Sequence, residues 1–153
     1  MKAVIQRVSQ AQVTIEGNNC AAIGQGLVIL LGISVDDTLA DAEKLCRKIP
    51  HLRIFSDQND QMNLSVLDIN GEVMIISQFT LYGNASKGNR PSFIRAAKPE
   101  QAIPLYEYFI KSIREKIEKT VTGVFGADMK VALINDGPVT IILESKNNDN
   151  DLA

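Results

Sequence analysis

The chain has 153 residues, 45% of them hydrophobic and 22% charged, with a formal net charge of -2. This composition fits one globular domain, and the sequence contains no apolar run of about 18 residues that could form a membrane-spanning helix. The acidic balance argues against a generally basic nucleic-acid binder, although it leaves room for a local basic patch. Residues 1–8 lack the long apolar centre of a signal peptide, so we expect a cytoplasmic protein.

The first part of the chain predicts a series of strands. Apolar and polar side chains alternate over residues 3–8 and 11–15, a polar turn follows at 16–19, and a short strand is expected at 21–23. Residues 27–33 form an uninterrupted apolar run between glycines, which is too short for a typical helix. We therefore expect a central strand there, covered on both faces.

Two later segments have the spacing of an amphipathic helix. The first, residues 39–49, follows an N-cap within Asp36-Asp37-Thr38 and is stopped by Pro50. The second opens at Lys98-Pro99-Glu100 and is expected to reach about Lys119. Apolar or alternating runs predict further strands at residues 52–55, 62–69, 72–81, 121–124, 129–134 and 139–143.

The order of these elements indicates the fold class. Strands occur in runs with only two substantial helices, which favours an α+β fold with a curved, barrel-like and mostly antiparallel sheet over an alternating βα layout. We expect a single domain over residues 1–145, followed by a frayed tail rich in Asn and Asp at residues 146–153. Asn70-Gly71 predicts a two-residue hairpin, and Gly137-Pro138 taken alone predicts a turn at the start of a buried strand.

The predicted strand 72–81 becomes polar at Ser77-Gln78-Phe79-Thr80. A buried hydroxyl or amide without a partner costs about 1–3 kcal/mol. These groups therefore either bond to their neighbours at a strand end or belong to a site. The loop that follows, residues 82–95, is long and carries Lys87, Arg90 and Arg95, and loops of this length are usually functional or mobile.

Side chains suited to be a catalytic base are scarce. Cys20 and Cys46 lack Cys-x-x-Cys spacing, and with a single histidine, His51, neither a zinc site nor a disulfide framework is indicated. No Gly-x-Ser-x-Gly elbow is present, and the glycine-rich stretches do not open a helix as nucleotide-binding loops do. We predict no metal and no cofactor. If the chain is an enzyme, the expected catalyst is oriented peptide N–H groups with a hydroxyl.

Five segments together carry a resemblance to a known family: residues 1–8, 71–82, 87–93, 125–127 and 135–140. In this order and spacing, the chain resembles the D-aminoacyl-tRNA deacylases, the DTD family, up to about Ser145. The visible departure is Tyr82-Gly83-Asn84-Ala85-Ser86, where many members have an Ala-Asp-Thr region. It affects the expected loop contacts but not the expected chemistry.

The resemblance implies a homodimer with two active sites at the subunit interface. The Ser77–Thr80 segment of one subunit would face Gly137 and Pro138 of the other. The Gly-Pro bond would be cis, its carbonyl groups would reject an L-configured Cα, and Arg7 would support this corner. Further contacts to adenosine and tRNA are implied for Phe125, Gly126, Lys87, Arg90 and Arg95.

The reaction implied by the resemblance is hydrolysis of the ester between a D-amino acid and the 3'-terminal adenosine of tRNA. No metal is required, and glycyl-tRNA is an expected side substrate because glycine has no side chain to exclude. Backbone groups and the ribose 2'-OH would do most of the catalysis, with Gln78 and Thr80 in positioning roles. Two alternatives stay open: a non-catalytic module that binds RNA ends or nucleotides, and an L-selective editing hydrolase.

Overall fold

A computed structural model describes residues 1–146, apart from the side chains of Asn19 and Cys20. Residues 147–153 of the tail that we expected to fray lie outside the described residues. The strands are β1 (Lys2–Ile15), β2 (Asn18–Ile23), β3 (Gly26–Gly32), β4 (Phe55–Ser56), β5 (Met62–Leu64), β6 (Glu72–Ser77), β7 (Thr120–Thr122) and β8 (Lys130–Glu144). The helices are α1 (Leu39–Lys48) and α2 (Pro99–Arg114), and 3₁₀ turns span Ile49–His51 and Phe79–Tyr82.

These elements form the predicted α+β fold around one main sheet. Within residues 1–146 this sheet has six strands in the order β2-β1-β3-β6-β7, and β8 pairs with β1. The outer strand β2 also approaches β6 and β7, so the sheet is curved and nearly closed. Strand β1 is antiparallel to its neighbours, whereas β3–β6 and β6–β7 are parallel. Each parallel pair is joined through a helix, because parallel strands need a long crossover.

Two pairs of predicted strands are in fact single long strands. β1 has 14 residues, and Ser9 and Gln10, which interrupt its apolar pattern, stay extended because β8 continues to pair beside them. β8 has 15 residues and contains the Gly137-Pro138 corner instead of starting after it. The expectation that this corner begins a strand was therefore wrong. Backbone pairing with β1 on both sides of the corner keeps the strand continuous.

Strand β6 ends earlier than predicted, at Ser77 and not at Leu81. The Gln78 N–H still donates to the Leu31 carbonyl at 2.8 Å, and the chain then coils into the 3₁₀ turn Phe79–Tyr82. The polar residues thus lie where the ladder stops, at the carboxyl end of a central strand.

The Asn70-Gly71 hairpin does not form. Asn70 has a positive φ of 50°, and the Gly71 N–H donates to the Val66 carbonyl at 2.9 Å, so the pair closes a helical turn as a C-cap. β5 pairs with β4, while β6 pairs with β3 and β7. The expected strands at 52–55 and 62–69 shorten accordingly to β4 and β5.

Helix α1 begins where predicted, but Asp37 does not cap it. Thr38 is the N-cap, and its N–H donates to the Asp41 carboxylate at 2.8 Å. The buried Asp37 carboxylate instead accepts from the Met1 ammonium group at 2.6 Å and from the Ser34 N–H at 2.7 Å. It therefore ties the start of β1 to the loop before the helix.

Asp41 extends this polar cluster. The Ser145 hydroxyl accepts from the Met1 ammonium group at 2.7 Å and donates to the Asp41 carboxylate at 2.7 Å. Burial acts to raise the pKa of Asp41, but hydrogen bonds from Ser145 and Thr38 outweigh it and lower that pKa. The start of β1 and the end of β8, which lie side by side in this antiparallel pair, are thus joined to α1 and the loop before it through charged hydrogen bonds.

Helix α2 ends at Arg114, before the predicted end near Lys119. Its buried stripe, Ala102, Tyr106, Phe109 and Ile113, joins the apolar core under the sheet. The chain then turns to place Ile117 in the same core before β7 starts. In residues 1–146, neither helix is long and apolar enough to span a membrane.

The contact between β3 and β6 provides a test of the fold. A Cβ at Gly26 would lie 1.8 Å from the Glu72 carbonyl oxygen of the paired strand. We expect Gly26→Ala to lower the free energy of unfolding by about 3 kcal/mol or more. Gly24→Ala is the matched control, because its Cβ would lie at an ordinary 3.7 Å from the Glu72 side chain. Equal urea midpoints for the two variants would contradict this close approach.

Candidate active site

A cavity of about 310 Å³ opens at the carboxyl end of β6. Ser77, Gln78 and Phe79 form one wall, and residues 125–129 form another. The rest of its surface is mostly apolar and comes from Leu31, Ile33, Ile76, Ala97, Ala102 and Val131. The structure therefore brings together the polar break of β6 and the Phe125-Gly126 segment, which are far apart in the sequence.

The polar side chains of the wall interact with each other. Gln78 Nε2 donates to Thr80 Oγ1 at 2.5 Å, across the start of the 3₁₀ turn. The Thr80 side chain is on the exposed side of this turn and does not line the cavity. Gln78 thus links the cavity wall to the hydroxyl beside it.

The Phe125 ring in the cavity wall packs against a buried side chain of α2. Phe125 packs against Tyr106 with ring centroids 5.7 Å apart, and the buried Tyr106 hydroxyl donates to the Ile75 carbonyl at 3.1 Å. Burial raises the pKa of Tyr106 to about 12, so its hydroxyl stays protonated as a donor at neutral pH. Gly126 follows with a positive φ of 77°, which allows the chain to turn along the cavity.

The cavity contains little charge. Among the described residues that line it, Asp128 is the ionisable one, and its side chain is 86% exposed and paired with Lys130 at 2.8 Å. Among the described side chains of residues 1–146, which do not include that of Cys20, no three His, Cys, Asp or Glu groups are placed so that they could hold a metal ion. His51 is exposed in its 3₁₀ turn, away from the cavity lining. Chemistry in this cavity would therefore depend on neutral groups.

The Gly137-Pro138 corner lies outside this cavity. Its peptide bond is cis, and it interrupts the β1–β8 ladder opposite Arg7. The Arg7 guanidinium donates to the Asp136 carbonyl at 2.7 Å and to the Ile54 carbonyl at 2.7 Å. The corner is therefore exposed, and Arg7 links it to β1 and to the segment around Ile54.

The three predicted tRNA-binding cations differ in their surroundings. Lys87 and Arg90 are exposed on the loop after the 3₁₀ turn Phe79–Tyr82. Arg95 is paired with Asp36 at 2.7 Å and lines a separate hollow near the start of β1. The structure thus places Lys87 and Arg90 together on one loop and separates Arg95 from them.

Comparison with known proteins identifies the family. Residues 4–144 match the family described as D-Tyr-tRNA(Tyr) deacylase. The chain belongs to the D-Tyr-tRNA(Tyr) deacylase family. Similar proteins named D-aminoacyl-tRNA deacylase occur in Flavobacterium psychrophilum, with 59% identity, and in Flavobacterium johnsoniae, with 55% identity. Each similarity covers 97% of this chain and 100% of the relative.

Solved structures share the fold of this chain. A structure named c-Myc DNA Unwinding Element Binding Protein has a TM-score of 0.89 and 46% identity, covering 94% of this chain and 98% of that chain. A probable eukaryotic D-amino acid tRNA deacylase has a TM-score of 0.78 at 16% identity with the same coverage, which shows a shared fold. The DTD-like fold predicted from the sequence is confirmed.

Sequence reasoning missed part of the cavity. Leu31 and Ile33 of the central strand region, and Met129 before β8, line it together with the predicted residues. They appear in the sequence only as ordinary apolar positions, so nothing local distinguishes them from core. Tyr106 lies within the predicted second helix, but its support of Phe125 depends on tertiary packing.

The geometry of the corner leads to a prediction for Gly137→Ala. Gly137 has a φ of +145°, and an added Cβ would lie 2.8 Å from both the Arg7 guanidinium and the Val139 side chain. We expect the free energy of unfolding to fall by about 2 kcal/mol or more. Gly88→Ala is the control, since Gly88 has a φ of +105° but open space around it. If Gly137→Ala lowers the free energy of unfolding no more than Gly88→Ala does, the close contacts of the added Cβ with Arg7 and Val139 do not destabilise the protein.

Proposed function

We propose that the protein hydrolyses the ester of D-aminoacyl-tRNA to free tRNA and a D-amino acid. The observation that carries this proposal is the match of almost the whole chain to relatives named D-aminoacyl-tRNA deacylase. We propose further that residues 1–145 act as one catalytic domain and that glycyl-tRNA is also hydrolysed. Because this substrate is used in translation, the proposed location is the cytoplasm.

The cavity suits the aminoacylated end of tRNA. In this proposal Phe125 and Gly126 contact the terminal adenosine, and Ser77, Gln78 and Phe79 lie beside the ester. An apolar cavity with a few polar groups is typical of small-ligand sites. The adenine ring would gain from the aromatic wall, and the polar wall would orient the reacting group.

Water is the nucleophile in the proposed mechanism. Its oxygen attacks the ester carbonyl carbon, the bond to the ribose oxygen breaks, and that oxygen leaves with a proton as the tRNA hydroxyl. Phe79 lines the cavity, and its N–H group begins the 3₁₀ turn, where N–H groups have no acceptor in their own turn. This N–H group is suited to stabilise the developing oxyanion. The ribose 2'-OH assists proton transfer.

We propose a homodimer that completes the site. Within residues 1–146, β8 pairs with β1 only, and its outer surface exposes Ile134 at 52% and Ile142 at 66%. A long apolar edge strand of this kind favours association with another chain. Gly137 and Pro138, on the same strand, would then enter the partner's cavity and reject an L-configured Cα.

The decisive experiment compares D-tyrosyl-tRNA with L-tyrosyl-tRNA. We expect rapid release of tyrosine from the D-ester only, because the partner's corner would block the L-configuration. Release from neither ester would support a non-catalytic module that binds RNA ends or nucleotides, and one structural relative is named as a DNA unwinding element binding protein. Preferential loss of the L-ester would indicate an L-selective editing enzyme.

Thr80→Ala tests backbone catalysis. If Thr80 only positions groups through Gln78, kcat should stay within about tenfold of the wild type, whereas loss of a nucleophile costs roughly 10⁴-fold or more. Single-turnover hydrolysis of D-tyrosyl-tRNA measures this difference. Ser86→Ala, which removes a hydroxyl from the exposed loop, is the control. Complete loss of activity in a folded Thr80→Ala protein would assign the nucleophile to Thr80.

A further inference from the structure

Two aromatic rings are exposed at the mouth of the cavity. Phe79, on the cavity wall, is 57% exposed. Phe93 is 38% exposed and lies near the end of the loop 82–95, which we call the basic loop because it carries Lys87 and Arg90. Their ring centroids are 5.2 Å apart at an interplanar angle of 72°, an edge-to-face contact. Core packing does not explain this pair, because both rings leave much of their surface in solvent.

The backbone holds Phe93 in this place. Asn84 and Ser92 exchange two backbone hydrogen bonds, at 2.8 and 2.9 Å, which close the base of the loop one residue before the ring. A Cβ at Gly83 would lie 2.9 Å from the edge of the Phe93 ring, so the ring lies directly on the backbone there. Phe93 is therefore braced by Phe79 on one side and by Gly83 on another.

The loop between Asn84 and Ser92 carries positively charged side chains that no acidic side chain of the described residues neutralises. Lys87 and Arg90 are both exposed, and none of the ion pairs found in residues 1–146 involves either of them. Arg95, by contrast, is paired with Asp36. Unneutralised cations beside exposed aromatic rings are the combination that binds single-stranded nucleic acid, through phosphates and stacked bases.

We propose that the Phe93 ring stacks on the base of the cytidine that precedes the terminal adenosine, and that Lys87 and Arg90 contact phosphates of this unpaired 3' end. The inference rests on the proposed function. With the adenosine in the cavity, the preceding nucleotide must leave through the mouth, where Phe79 and Phe93 lie. The basic loop then supplies positive charge in a protein whose formal net charge is -2.

Esters of increasing length test the stacking contact. We would measure kcat/KM for D-tyrosine esterified to adenosine, to the dinucleotide cytidylyl-adenosine, and to tRNA. The wild type should prefer the dinucleotide over the nucleoside. Phe93→Leu should lower the dinucleotide-to-nucleoside ratio about tenfold, whereas Phe93→Tyr, which keeps the aromatic face, should retain it. An unchanged ratio in Phe93→Leu would overturn the stacking role.

Salt dependence tests the phosphate contacts. For D-tyrosyl-tRNA, the double variant Lys87→Gln and Arg90→Gln should make the slope of log kcat/KM against log salt shallower by about 1.4. Lys48→Gln with Lys111→Gln is the matched control, since both lysines are exposed on the helices and outside the cavity lining. An equal change in slope for both double variants would assign the effect to net charge and overturn the contact.

The outcomes separate this inference from the proposed function. Wild-type protein that cleaves none of the three esters would refute the function itself. Wild-type protein that cleaves all three with equal kcat/KM would leave the function in place and overturn the stacking role. Size-exclusion chromatography of Phe93→Leu gives the remaining check. A changed oligomeric state would mean that the ring contacts a second subunit, and this would also overturn the inference.

Discussion

The Arg7 guanidinium holds in place the stretch of the β1–β8 pair where the regular hydrogen-bond ladder is interrupted. Between the pairs Gln6–Thr140 and Val8–Asn135, a single residue of β1 faces residues 136–139 of β8. Such a bulge leaves backbone groups without their ladder partners. Arg7 bonds to the Asp136 carbonyl and the Asn135 side chain accepts from the Val139 N–H at 2.7 Å, so two side chains replace the lost ladder. The corner keeps its shape because the side chains of Arg7 and Asn135 form hydrogen bonds with the backbone groups beside it.

Most of the fold could be predicted, because apolar periodicity reports which face of an element is buried. The central strand lies where its apolar run placed it, and both helices begin where their apolar period placed them, although α2 ends at Arg114. Errors occurred where tertiary pairing overrides local pattern. Ser9 and Gln10 remain in β1 because β8 pairs beside them, and Asn70 caps a helical turn because no strand pairs across it. The parallel pairs could not be predicted, since local period does not record strand direction.

The site was less predictable than the fold, and the reason is chemical. Families with a histidine base or a metal show their ligands in the sequence, but apart from the exposed Asp128 this cavity is lined by neutral residues. The acids cluster elsewhere, around the Met1 ammonium group. Near them, burial and then the charges of Asp37, Glu144 and Asp41 raise the pKa of Tyr82, which therefore stays neutral. Only the combination of several short motifs indicated the site.

This separation of charge is consistent with the proposed chemistry. An ester carbonyl that becomes an oxyanion is stabilised best by fixed N–H dipoles in a site with little water, and a nearby carboxylate would oppose it. The described cavity meets the condition on the carboxylate, since its ionisable residue, Asp128, points mainly to solvent and is paired with Lys130. Recognition of a polyanion then has to come from outside the cavity. Lys87 and Arg90 on the loop beyond the mouth can attract the tRNA backbone without placing a charge beside the reacting ester.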